Sequence, residues 1–98
     1  MPTETEVRTY VEQSRDGVLT VSLDSRDTVA VQLEPEVNQT WSAEMLSERV
    51  FHLYTLAQMR ARCDMRRRMN ERGMNMPPSE LYPGEGDIAR YRARFVDF

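Results

Sequence analysis

The spacing of apolar residues in this chain changes once, at Pro35, from every second position to every third or fourth. Ahead of the proline, three short segments alternate. VRTYVEQ (7–13) sets Val7, Thr9 and Val11 against Arg8, Tyr10 and Glu12. GVLTVSLD (17–24) sets Leu19, Val21 and Leu23 on one face, and TVAVQLE (28–34) does the same with Val29, Val31 and Leu33. Alternation of this kind marks a strand with one buried face. Ser14-Arg15-Asp16-Gly17 and Asp24-Ser25-Arg26-Asp27 join the segments, and links this short make hairpins, with Gly17 free to take a positive φ. The expectation is a three-stranded antiparallel meander whose apolar face needs a cover.

The cover comes next. After the loop EVNQT (36–40), Ser42 has the character of an N-cap, Glu44 suits the helix dipole, and Trp41 can staple onto Leu46. Leu46, Val50, Leu53, Tyr54, Ala57 and Ala61 recur at helical steps, and the pattern meets no breaker before Gly73, a natural C′ residue. A helix over 43–72 is about 45 Å long at 1.5 Å per residue, whereas the strands reach about 25 Å. The helix therefore overshoots its sheet. Pro77-Pro78 stops it, and Ile88, Tyr91 and Phe95 predict a short helix over 87–95 capped by Asp87. The whole reads as an α+β protein: residues 1–6 disordered, one ββ(β)α domain over 7–73, and a proline-broken C-terminal extension over 74–98.

The overshooting end is MRARCDMRRRMNERGMNM (59–76), with six arginines and five methionines. Charge is divided sharply around it. Residues 1–48 hold three arginines against ten acids, and residues 49–72 hold seven arginines against Asp64 and Glu71. The basic segment has three readings: a solvated or internally paired helix end, a phosphate grip, or a face for a protein partner. A phosphate grip would use Arg60, Arg66, Arg67 and Arg68. Against it stand the absence of lysine, the absence of aromatic residues from 55 to 81, and an acidic remainder. A protein partner would use Met59, Arg60, Met65, Arg66, Arg67 and Met69, because methionine adapts to irregular apolar surfaces. The partner is a client protein or a second copy of the chain, and a homodimer is expected.

Catalytic and metal motifs are missing. His52 is the only histidine, Cys63 the only cysteine, and no HxxxH, CxxC or HExxH spacing occurs. His52 reads as a helix-flank side chain and Cys63 as a small apolar one. The expectation is a non-enzymatic protein with no metal and no cofactor. One cysteine forms no internal disulfide and suits a reducing cytoplasm. No stretch has the roughly 18 apolar residues of a membrane span.

The order of these elements resembles the EspD/EspH-type proteins associated with mycobacterial ESX (type VII) secretion. The matching pieces are Val29-Ala30-Val31-Gln32-Leu33, Trp41-Ser42, Leu46 through Ala61, and a tail, MPPSELYPGEGDIARYRARFVDF, similar in layout. The resemblance spans residues 7–98 and implies an accessory role, stabilising or chaperoning secretion substrates through protein contacts. Those proteins carry a long acidic N-terminal extension, whereas only six residues precede the first strand here. Trp41 is followed by Ser-Ala and not by a WxG pattern, and no tyrosine has an acid four residues on, so export on the chain's own signal is not expected. More distantly, the hairpin-to-helix unit is similar to the YbaB nucleoid-associated family, which implies a dimer and, as the alternative function, DNA binding.

Overall fold

A computed structural model describes residues 7–35 and 41–98. The expected disorder of residues 1–6 and the loop 36–40 lie outside the described residues. The elements run β1 (Thr9–Gln13), β2 (Leu19–Asp24), β3 (Val29–Leu33), α1 (Ala43–Glu71) and α2 (Glu85–Phe95). The strands form one antiparallel sheet in the order β1-β2-β3, with Tyr10 opposite Leu23 and Val21 opposite Val31. The fold is α+β: a three-stranded open sheet, a long helix and a second, shorter helix.

Side-chain capping explains both hairpins. In the first, the Ser14 hydroxyl accepts from Leu19 N–H and donates to Asp16 Oδ1, while Gly17 takes φ +78°. In the second, Asp24 Oδ1 accepts from the backbone N–H groups of Arg26 and Thr28, each at 2.9 Å. Asp27 closes that turn at φ +64°, a left-handed conformation that aspartate tolerates better than most side chains.

Helix α1 starts and stops where the sequence says. The Ser42 hydroxyl accepts from Met45 N–H at 3.0 Å. Trp41 and Leu46 pack into one apolar cluster with Leu19, Val21 and Leu53, as a staple does. At the other end Gly73 N–H donates to Asn70 O and Met74 N–H to Met69 O, with Gly73 at φ +103°. That pair of bonds is a Schellman motif, which the missing Cβ of glycine permits.

The faces of the strands bring one correction. Leu19, Val21 and Leu23 point at α1 and are buried, as expected. In β1 the apolar alternation is inverted: Tyr10 and Glu12 face the helix and are buried, whereas Val7 and Val11 are exposed. Pairing of Tyr10 with Leu23 and Glu12 with Val21 fixes this, because opposed residues share a face. The inward polar groups find partners on the helices, described below.

A second difference concerns the helix end. The overshoot is not bare, because the chain returns along it. Arg66 and the Asn70 amide both donate to the Met76 carbonyl, and the Asn70 side-chain oxygen accepts from Met76 N–H at 2.8 Å. Beyond this clip, α2 packs back on α1, where Ile88 joins Leu56 and Cys63 in a buried cluster flanked by Met59. Helix α2 begins at Glu85, two residues before the expected start. Gly84 is its N-cap, and Asp87 serves from the third helical position by accepting Gly84 N–H at 2.9 Å.

Candidate protein-interaction surface

Helix α1 lies across β1 and β2. One helix is about 10 Å wide and three strands about 14 Å, so one cannot cover the other. The two flanks of the sheet are consequently unlike.

The β1 flank is closed by charge. Glu12, whose side chain is only 8% exposed, lies between Arg60 of α1 at 2.6 Å and Arg92 of α2 at 3.1 Å. Arg60 also donates to the carbonyl of Val11, at the outer edge of β1. Beside this clamp the Tyr10 hydroxyl donates to Asp64 Oδ2 at 2.6 Å, with Arg68 and Arg8 within ion-pair range of the same oxygen. Burial, then the bond to Asp64, raises the Tyr10 pKa above its ordinary value. At the turn, Arg15 N–H donates to the Phe98 carbonyl. Arg49 lies over the rings of both Trp41 and Phe98, at 4.4 and 4.8 Å.

These contacts place the arginines that a phosphate grip would use. Arg60 is held by Glu12, Arg66 by the Met76 carbonyl, Arg67 by Glu85 at 3.5 Å and Arg68 by Asp64 at 3.6 Å. The acidic half of the chain supplies one of those four partners, Glu12. Arg62 and Arg72 make no ion pair with another described residue.

The residues expected to meet a partner are scattered. Met59 packs beside the cluster between the helices. Met69 is half-buried, and Arg60 and Arg66 are engaged as above. Met65 and Met74 are open, 42% and 52% exposed, and Arg67 is also exposed. Met65 lines a cleft of about 500 Å³ with Leu23, Gln58, Ala61 and Tyr82. The structure thus joins Met65 to the sheet through Leu23, and Leu23 in turn is paired with Val29.

That link leads to residues the sequence reading left in the core. Val29 and Val31 point to the helix side of the sheet but are 45% and 52% exposed, because α1 stops short of β3. The signal was present in the count of strands against covering helices.

His52 and Cys63 do not approach one another. They are eleven positions apart on α1, about 16 Å along its axis. His52 Nδ1 is 2.9 Å from the Tyr91 hydroxyl, and its ring stacks on Phe95. Cys63 is buried under Ile88. Among the described residues no group of three His, Cys, Asp or Glu side chains is placed to hold a metal, and no helix is long and apolar enough to cross a membrane. No family model, curated protein or solved structure matches this chain.

Proposed function

We propose that the protein is a non-enzymatic accessory of type VII (ESX) secretion that works as a homodimer in the cytoplasm. It binds a secretion substrate through the methionine-bearing end of α1. The observation that carries the binding reading is the exposure of Met65 and Met74 at a helix end where Arg60, Arg66, Arg67 and Arg68 are already engaged. Apolar side chains held open on a framed surface suit a protein partner better than a phosphate backbone. The layout shared with EspD/EspH-type proteins supports a secretion substrate as the partner class.

Co-expression with a panel of type VII substrates tests this. The wild-type chain should co-elute with a substrate, and the double variant Met65→Glu, Met69→Glu should not. Equal capture by both would sink the proposal, as would no capture by either. DNA affinity that falls by orders of magnitude between about 50 and 200 mM salt would instead favour the nucleoid reading of the same helix.

A further inference from the structure

The two sheet edges differ in what reaches their outward backbone groups. Asp24 N–H donates to Thr28 O, and Glu34 N–H to Val18 O. The even-numbered residues of β3 therefore point their amides and carbonyls at β2. The odd-numbered ones, Val29, Val31 and Leu33, point theirs away from the sheet. Among the described residues, nothing bonds to those outward groups. On β1 the matching position, Val11, has its carbonyl taken by Arg60.

Natural sheets blunt a free edge with charge, proline or a covering element. Strand β3 reads VAVQL and has none of these within it. Two of these three residues, Val29 and Val31, also carry half-exposed apolar side chains, and Leu33 packs partly buried against Leu19, Val21 and Leu53. An edge that is open, uncharged and apolar on one face is suited to pairing with another strand.

We infer that β3 pairs antiparallel with β3 of a second copy, about a two-fold axis at Val31, to give a six-stranded sheet. This deepens the dimeric part of the proposed function and is independent of the secretion partner. With Val31 opposite Val31, Val29 falls opposite Leu33 in both directions, so every outward-pointing residue meets another. Opposed residues in an antiparallel pair share a face, which puts all six apolar side chains on the side of the two α1 helices.

Sedimentation of the full chain across a range of concentrations, with three single variants, tests the inference. Wild type should be a dimer that dissociates on dilution. Val31→Pro removes one outward amide and spares the bonds to β2, and Val31→Lys puts charge on the axis; both should be monomers with an unchanged circular dichroism spectrum. Val31→Cys should form a disulfide dimer on mild oxidation, since opposed residues of a hydrogen-bonded pair lie about 5.5 Å apart at Cα. Val11→Cys on β1 should not, and Cys63 is buried. A wild-type monomer at every concentration overturns the inference, and so does a dimer that survives both Val31→Pro and Val31→Lys. A chain that dimerises this way yet captures no secretion substrate overturns only the partner reading.

Discussion

Strands β1 and β3 flank the same central strand, are each five residues long, and meet opposite fates. The β1 flank turns a tyrosine and a glutamate inward and satisfies them with groups from both helices. The β3 flank turns two valines to the same side and leaves them half in water. Polarity alone would have ranked them the other way. What decides is the position of the single long helix, which crosses β1 and β2 and brings Arg60 and Asp64 over the polar strand. A polar group with a partner can be buried, and an apolar group without a cover remains exposed.

The most direct way to break this comparison is to truncate two valines that face each other in register. Val21 is fully buried, so Val21→Ala should cost about 2–3 kcal/mol in urea denaturation. Val31 lies opposite it and is half open; Val31→Ala should cost less than about 0.5 kcal/mol within one protomer. A loss at Val31 that grows with protein concentration would report the second copy.

The clamp on the closed flank should rank next. Arg60→Ala leaves the Glu12 carboxylate buried with Arg92 alone and removes the bond to Val11 O. The expected loss is about 1–2 kcal/mol, below the value for a fully buried pair because Arg60 itself is 38% exposed. Replacing Glu12 with leucine as well should recover part of the loss, because no buried charge is then left unpaired. If the double variant were less stable than Arg60→Ala, the carboxylate would be more than a buried charge that needs a partner.

These two flanks also show what could be read in advance. Period and caps are local, so the three strands, Ser42, Trp41 with Leu46, and the Gly73 stop were legible. The inward face of β2 was legible because Leu19, Val21 and Leu23 have no rival on the other side. The face of β1 was not, since Tyr10 and Glu12 are buried by partners some 50 to 80 residues away. The open methionine end was half legible: composition marked the stretch, but acceptors on the backbone, such as Met76 O, leave no trace in sequence. The exposure of Val29 and Val31 depended on where one helix comes to rest over three strands.

A smaller effect, of opposite sign, should come from the open flank. Asp27→Gly replaces a side chain at φ +64° with the residue that takes this conformation without steric cost. The gain should be about 0.5–1 kcal/mol, less whatever flexibility glycine adds to the unfolded chain. The thermal midpoint would show it, and a loss would mean that the Asp27 side chain does more in the turn than tolerate it.

The response to pH should be smallest near neutrality and should belong to the closed flank. Asp16, in the turn after β1, has its pKa lowered by the Ser14 hydroxyl and then by Val18 N–H. Asp87, in the first turn of α2, has its pKa lowered by Gly84 N–H against some desolvation, with Arg90 adding to it. A carboxylate held below its ordinary value stabilises the fold above its unfolded pKa of about 4 and loses that contribution as pH falls through the folded one. Tyr10 has the opposite sense. Its raised pKa stabilises the fold up to about pH 10, and the contribution is lost as pH climbs through the folded value. Stability should therefore be flat from about pH 5 to 9 as far as these three groups govern it, with an acid limb and an alkaline limb. Asp16→Asn together with Asp87→Asn should flatten the first, and Tyr10→Phe the second. Since all three groups sit on β1, its turn or α2, amide exchange should loosen there before it changes at β3. Loosening that began at β3 instead would place the pH-sensitive contacts on the open flank.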